Sequence, residues 1–342
     1  MKILVTGGCG FIGSAFIRRM LGGARRAGAP AVSIVNLDKL TYAGNPRNVE
    51  SVAGSSDYRF VLGDICDRDV VADAMEGCDV VVNFAAETHV DRSLLGDASF
   101  VDTDVKGVLV LLEEAKRRGV SKFVQISTDE VYGSIESGAF TEESTLRPRN
   151  PYSAAKAGGD RIAYSYWASY GVPVVITRAS NNYGPFQYPE KLIPLFVTNA
   201  LDDLPLPLYG DGRNVRDWLY VDDHAAAVEF LIDNGEPGEV YNVAGGNECE
   251  NVEITKKILS LLGKPDTLIR KVADRVGHDR RYSLDAGKLA RLGFRAQARF
   301  DEALAATIDW YVAHPDWWRP IKEHDPHYRD FYKTQYHERL RG

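Results

Sequence analysis

The first thirteen residues limit most what this chain can fold into. An apolar run, Lys2 to Thr6, leads directly into Gly7-Gly8-Cys9-Gly10-Phe11-Ile12-Gly13, and a helix-period segment follows from Ile12 to Ala27. Strand, glycine turn and helix in that order satisfy both GxGxxG and GxxGxxG spacing. Gly7 and Gly8 permit the tight turn, Gly10 lets backbone N–H groups approach a pyrophosphate at the helix N-terminus, and Gly13 allows close helix packing. Asp38 ends the next β-branched run, at the spacing of a carboxylate that binds a ribose. An acid there repels a 2′-phosphate and so favours NAD over NADP, with Lys39 beside it as a countercharge. Asp64, after a third run, either bonds the adenine or solvates a strand end.

The same alternation continues along the chain. Apolar runs recur at Ser33 to Leu37, Arg59 to Leu62, Val80 to Phe84, Lys122 to Ser127 and Val172 to Thr177, with helix-period segments at Val70 to Met75, Asp104 to Arg118 and Ala154 to Tyr170. Unbroken apolar strands are those of a parallel sheet covered on both faces. The fold class is therefore α/β, a Rossmann-type doubly wound parallel sheet. After about Arg178 the alternation stops and Pro, Asn, Tyr and charged residues increase. We expect residues 1–178 to form the nucleotide-binding domain, with a return near 214–246 through a strand at Glu239 to Val243. Residues 179–342 would then supply a smaller, interleaved C-terminal substrate domain.

Composition excludes several function classes. With 342 residues, 44% hydrophobic and 26% charged, the chain is neither disordered nor a stapled miniprotein. Its 41 Lys and Arg against 48 Asp and Glu give a net charge of −7, without the basic face that nucleic acid requires. No apolar stretch approaches the roughly 20 residues of a membrane span. The N-terminus does not read as a signal peptide, and four cysteines without CxxC spacing suit a reducing cytoplasm. His324, His327 and His337 lie in no known ligand pattern, so no metal is expected.

Two clusters carry chemistry. Tyr152 and Lys156 stand four apart at the start of a helix announced by Asn150-Pro151, so their side chains share one face. A neighbouring ammonium and an oxidised nicotinamide would stabilise a phenolate that otherwise forms only near pH 10. The fifth run ends in Ser127-Thr128-Asp129-Glu130-Val131-Tyr132-Gly133, which puts a hydroxyl and two carboxylates at the edge where ligands of parallel sheets bind. Two carboxylates can divide acid and base roles if their environments differ. In an extended strand, however, Asp129 and Glu130 would face opposite sides, so the backbone must turn to present both.

These residues resemble the extended short-chain dehydrogenase/reductase family, and within it the dTDP-glucose 4,6-dehydratases. The similarity runs over almost the whole chain: Thr6 to Gly13, DKLTYAGN from Asp38, FAAETHVDRS from Phe84, STDEVYG from Ser127, Tyr152 to Lys156, NNYGPFQYPEKLIP from Asn181, Leu206 to Trp218, and DRVGHDRRYS from Asp274. The resemblance implies a redox-neutral dehydration with NAD retained throughout. Tyr152 would deprotonate the C4 hydroxyl as hydride leaves C4, Glu130 would remove the acidified C5 proton, and Asp129 would protonate the departing C6 hydroxyl. Thr128 would bond the C4 oxygen, and Lys156 would tune Tyr152 while binding the nicotinamide ribose. Gly7, Gly10, Phe11, Ile12, Gly13, Asp38, Lys39, Asp64, Ile65, Ala85 and Thr103 would complete the NAD site.

On the substrate side, the resemblance places Glu87, Thr88 and His89 along the sugar, and Asn182, Glu190, Lys191 and Leu192 around the diphosphate. Pro207 and Tyr209 match the base pocket, and Arg216, Asn251, Arg275 and His278 the outer diphosphate and nucleoside contacts. It also implies a homodimer formed through two helices per subunit. The chain departs from the pattern at Asp104 (Asn expected), Val108 (Thr), Ala155 (Ser) and Cys9 (Ala). Residues 323–342, with Tyr328, Tyr332 and Tyr336 spaced by four, read as an aromatic stripe that packs on the body or on a partner. A UDP-glucose or other nucleotide-sugar 4,6-dehydratase, a 4-epimerase and a non-catalytic NAD-binding regulator are alternatives, the epimerase disfavoured by Asp129-Glu130 and the regulator by the presence of Tyr152, Lys156 and the acid pair.

Overall fold

The computed structural model describes residues 1–23, 25, 31–96, 98–275, 277–337 and 339–340. Among the described residues twelve strands fall in chain order: β1 (Lys2–Thr6), β2 (Ser33–Asp38), β3 (Tyr58–Leu62), β4 (Val80–Asn83), β5 (Lys122–Thr128), β6 (Val174–Ala179), β7 (Asn181–Tyr183), β8 (Leu206–Tyr209), β9 (Val215–Tyr220), β10 (Val240–Val243), β11 (Glu248–Glu250) and β12 (Ile269–Val272). Seven form one sheet in the order β10-β6-β5-β4-β1-β2-β3, with every pairing parallel. The order reverses between β1 and β4, which creates the crevice where doubly wound folds bind their ligands.

Alternation along each strand builds both faces of this sheet. Leu4, Val35, Val81, Phe123 and Ile176 pack with Leu111, Leu112, Ala163 and Tyr166 on one side. On the other, Ile3, Val5, Ile34, Val82 and Val124 meet Phe16, Ile17, Ala225 and Val228. Only β3 departs from the expected burial. Lying at one edge of the sheet, it leaves Phe60 and Leu62 exposed.

The first helix runs Phe11–Leu21 and stops at Gly22, short of the expected end. Positions 24, 26 and 27 of the expected helix lie outside the described residues, as do 338 and 341–342 of the C-terminal stretch. The segment expected from Asp104 is not uniform: a π-helical turn, Asp102–Gly107, precedes the α-helix Val108–Arg118. The helix Pro151–Tyr170 starts where Asn150 accepts from the Ser153 backbone and the Ser153 hydroxyl closes a reciprocal capping box.

The return to the large sheet begins later than residue 214. β9 instead joins β7 in parallel and β11 in antiparallel pairing as a small separate sheet. The helix Val221–Asn234 then packs on Phe11–Leu21, and β10 adds to β6. A further core unites Ile193, Phe196, Leu206, Ile254, Leu304, Trp317 and Trp318. The parallel pair β8 and β12 lies beside it. Among the described residues no helix is long and apolar enough to cross a membrane.

Candidate active site

One cleft opens over the carboxyl ends of the sheet strands and runs from the glycine turn to Lys191. At its floor Gly7 takes a positive φ of 68°, and a Cβ there would lie 2.6 Å from the Ala85 backbone nitrogen. A Cβ on Gly13 would lie 2.4 Å from the Gly7 carbonyl oxygen. These contacts are the local reason for glycine at both places. Gly10 precedes the first helix and no side chain caps that terminus, so its first N–H groups face the cleft side free of a competing carboxylate.

Asp38 has a part in the turn that its spacing did not reveal. Its Oδ2 accepts from the Cys9 N–H at 2.8 Å and its Oδ1 from the Leu40 N–H at 2.8 Å. Lys39 and Asp64, both expected at the nucleotide, pair with each other at 2.8 Å. Gly7, Gly10, Phe11, Ile12, Gly13, Ile65, Ala85 and Thr103 line the cleft with them.

The chain solves the problem of two adjacent carboxylates with one turn of 3-10 helix. β5 ends at Thr128, and Asp129–Tyr132 coil at once, so Thr128, Asp129 and Glu130 all line the cleft. The Thr128 hydroxyl donates to Asp129 Oδ1 at 3.1 Å and accepts from the Glu130 N–H at 3.3 Å. Asp129 is buried, its Oδ2 has no hydrogen-bond partner, and burial with Glu130 close by pushes its carboxyl well above the usual range. Burial thus favours its neutral form. Glu130 Oε2 accepts from the Asn150 side-chain amide at 3.4 Å.

Tyr152 and Lys156 line the same cleft. Burial raises the Tyr152 phenol well above its ordinary value, and Glu130, Asp104 and Asp129 add to this, while Thr128 favours the phenolate. Lys156 donates to the Ile126 carbonyl at 2.7 Å, and burial lowers its ammonium pKa. In the protein alone the tyrosine is thus held protonated, and a cationic group beside it would have to offset that.

Farther along, Glu87, Thr88, Asn182, Glu190 and Lys191 also line the cleft. Glu190 is fixed from two sides: Arg92 donates to its Oε2 through Nε and Nη2 at 2.9 and 2.8 Å, and the Tyr42 hydroxyl donates to Oε1 at 2.9 Å. The Arg92 guanidinium lies 3.9 Å over the Tyr42 ring. His224 meets Asn182 Oδ1 through Nδ1 at 2.9 Å, and burial depresses its pKa to about 4. Arg92, Tyr42 and His224 were missed as site residues. The first lies inside HVDRS and the second inside DKLTYAGN, whereas no spacing signal marks the third.

Eight expected substrate residues do not line this cleft. His89, Leu192, Pro207, Tyr209, Arg216, Asn251, Arg275 and His278 are not among its lining residues, although Arg216 acts electrostatically on Asp129 and Arg275 on Glu130 and Lys191, and the C-terminal stretch packs against His89 and Tyr209. His89 stacks edge-on to Phe331 at 5.0 Å, and the Gln335 side chain donates to the Tyr209 hydroxyl at 2.6 Å. Tyr328 and Tyr336 are buried, so this aromatic stripe packs on the body of its own chain. Asp91 ties the group together, reaching Tyr209 at 3.3 Å, Arg275 at 3.5 Å and His89 at 3.8 Å. Arg216 donates to the Asp279 carbonyl at 2.9 Å. His278 pairs with Asp274 at 2.6 Å, and its pKa is pushed down to about 4, chiefly by burial. Leu192 opens the helix Leu192–Leu201 and packs against the core around Trp317 and Trp318, while Pro207 sits in β8 beside Arg270. Among the described residues no group of three or more His, Cys, Asp or Glu is arranged to hold a metal ion.

A tyrosine and a lysine that face a glycine turn across one cleft narrow the class further than the sheet does, to the extended short-chain dehydrogenase/reductases. The chain belongs to the GDP-mannose 4,6 dehydratase family, whose model matches residues 4–307. It is 51% identical over 326 residues to a dTDP-glucose 4,6-dehydratase of Streptomyces niveus, covering 95% of this chain and 97% of the relative. The solved dTDP-glucose 4,6-dehydratase of Streptomyces venezuelae with NAD bound superposes with a TM-score of 0.92 at 52% identity, over 94% of this chain and all of that one. A UDP-glucuronic acid 4-epimerase of Bacillus cereus, also with NAD, gives 0.84 at 28% identity, over 92% and 99%.

Proposed function

We propose that this chain is an NAD-dependent dTDP-glucose 4,6-dehydratase that forms dTDP-4-keto-6-deoxyglucose with loss of water. The observation that carries the reading is the turn presenting Asp129 and Glu130 to the cleft that holds Tyr152 and Lys156. Oxidation and reduction at C4 need no such pair, whereas elimination needs a base at C5 and an acid at C6.

The residues present fit NAD: the turn leaves no room for side chains at Gly7 and Gly13 and little at Gly10, and an acid stands at the end of β2. Bound there, NAD would take up hydride from C4 and return it to C6. The chain itself moves the protons. Tyr152 takes the C4 hydroxyl proton, with Thr128 on that oxygen and the Lys156 ammonium favouring the phenolate. Glu130 removes the C5 proton, and C5 regains a proton once hydride has returned to C6. Asp129, whose neutral form burial favours, gives its proton to the C6 hydroxyl as water leaves. Asn182, Glu190 and Lys191 would receive the diphosphate, and Tyr209, Arg216, Asn251, Arg275 and His278 the nucleoside end. On this reading residues 1–178 with the return strand form the cofactor domain, and 179–342 mainly the substrate domain.

The same reading implies a cytoplasmic homodimer joined through the helices Val108–Arg118 and Pro151–Tyr170. Exposed Val101, Tyr164 and Tyr170 on and beside these helices support that face, and a monomer by light scattering at micromolar concentration would sink it.

The deciding experiment is mass spectrometry of dTDP-glucose and UDP-glucose after separate incubation with purified protein and no added NAD. Loss of one water, about 18 Da, from dTDP-glucose alone supports the chemistry and the base preference together; a thymine methyl supplies about 1 to 3 kcal/mol of discrimination. Loss from UDP-glucose alone moves the base preference. Loss from neither, even with NAD supplied, overturns the reading.

A further inference from the structure

Asp104 has no part in the reaction described above, yet it is among the most deeply buried acids of the chain, at 1% exposure. The π-helical turn Asp102–Gly107 carries it. Wide turns of this kind displace one residue from the regular helix path. Here Asp102 and Lys106 of that turn stay exposed, while Asp104 points inward against the helix of Tyr152 and Lys156. Gly159 permits the approach: a Cβ there would lie 2.2 Å from the Asp104 carbonyl oxygen.

One carboxylate oxygen lies 3.8 Å from Lys156 Nζ, and the Glu87 backbone N–H favours the charged form without closing a full hydrogen bond. A buried carboxylate so weakly held is costly in its charged form. Burial accordingly raises its pKa from the ordinary value to about 7, against the pull of Lys156 and of the Glu87 N–H and with the push of the Glu87 carboxylate. The charged and titratable groups acting on this pair are few. Asp160 faces Lys156 from the same helix, Glu87 comes from the segment after β4, and Asp104 acts in turn on Tyr152, which also feels Glu130 and Asp129.

We propose that Asp104 is a positioning residue that takes up and releases a proton beside Lys156, and so sets how strongly that ammonium favours the Tyr152 phenolate. When Asp104 is neutral, the Lys156 charge acts on Tyr152 uncompensated. When Asp104 is ionised, it cancels part of that charge and holds the phenol proton more tightly. The inference about Tyr152 rests on the dehydratase reading; the titration of Asp104 does not.

Two measurements on NAD-loaded protein test it, using Asp104→Asn, which keeps the shape and removes the charge, and Asp104→Ser as a smaller neutral control. The first is melting temperature against pH, without substrate. Because the folded-state pKa lies above the unfolded one, the folded protein holds an extra proton between about pH 4 and pH 7, and its stability falls as pH rises through that window. The margin of either variant over the parent should therefore widen from pH 4 to 7 and stay constant above. A margin flat across pH 4 to 8 overturns the proposal. The second is the pH profile of absorbance at 340 nm when dTDP-glucose is added. The acid limb should move down by about 1 pH unit in Asp104→Asn, at little change in KM. An unmoved limb overturns the action on Tyr152. A parent protein that never reduces its cofactor with any nucleotide sugar would count against the dehydratase reading instead, and the melting series then decides the titration alone.

Discussion

Asn150 joins the two halves of the catalytic group. Its side-chain carbonyl accepts from the Ser153 N–H at 2.8 Å, and its side-chain amide donates to Glu130 at 3.4 Å. One residue thus starts the helix that carries Tyr152 and Lys156 and fixes the carboxylate proposed to act at C5. Neither contact is local to the strand on which Glu130 depends, so helix and strand are set relative to each other by this side chain.

Asn150→Ala should therefore do two things. Loss of the helix cap costs about 1 kcal/mol, readable as a lower denaturation midpoint. Product release of water should slow more than reduction of the bound cofactor, because Glu130 loses its tether while Tyr152 keeps its place. Equal slowing of both steps would show that the tether is idle.

Glu130→Gln and Tyr152→Phe should stop the reaction at different points. The glutamine variant should still reduce bound cofactor on mixing with dTDP-glucose, yet form product about 100 to 10,000 times more slowly. In the phenylalanine variant no reduction should appear. Stopped-flow absorbance at 340 nm separates the two, and rapid reduction in Tyr152→Phe would remove that residue from the first step.

The pH dependence of the steps should also diverge. Tyr152 is held above its ordinary value and must ionise, so cofactor reduction should quicken as pH rises. Asp129 is held above the carboxylate range and must donate, so elimination should slow once pH passes its raised value. Single-turnover rates across pH 5 to 9 check both signs, and parallel profiles would contradict the assignment.

Arg92→Ala should be among the most destabilising single changes near the site. It leaves Glu190 buried without its ion-pair partner, a loss of about 3 to 5 kcal/mol in comparable buried pairs. Urea unfolding measures it. A cost below about 1 kcal/mol would mean that the Tyr42 hydroxyl suffices to hold the carboxylate.

His224 should give the fold an acid limit. Its folded pKa of about 4 lies below the ordinary 6.5, so the stability it contributes is complete above about pH 6.5 and is lost as pH falls towards 4. The full difference amounts to roughly 3 kcal/mol. His224→Asn should flatten that part of the melting curve against pH, and an unchanged slope would assign the acid limit elsewhere.

Much of this architecture could be read from residue order. The unbroken apolar runs and the glycine turn announced a doubly wound parallel sheet, since strand burial and helix-terminus geometry act within a few residues of the positions that specify them. The same locality made Thr128, Asp129, Glu130, Tyr152 and Lys156 legible as candidates. Whether two neighbouring carboxylates reach one cleft was not a local question; it was decided when β5 broke into a 3-10 turn. Likewise Asp104 became a buried partner of Lys156 only through the π turn and the close approach at Gly159. Tyr209 was covered by a C-terminal segment 126 positions further along the chain. Sequence fixes short-range backbone preference and the pattern of burial, but contacts between distant segments, and the desolvation that sets the charge state of Asp104 and Asp129, exist only once those segments have packed together.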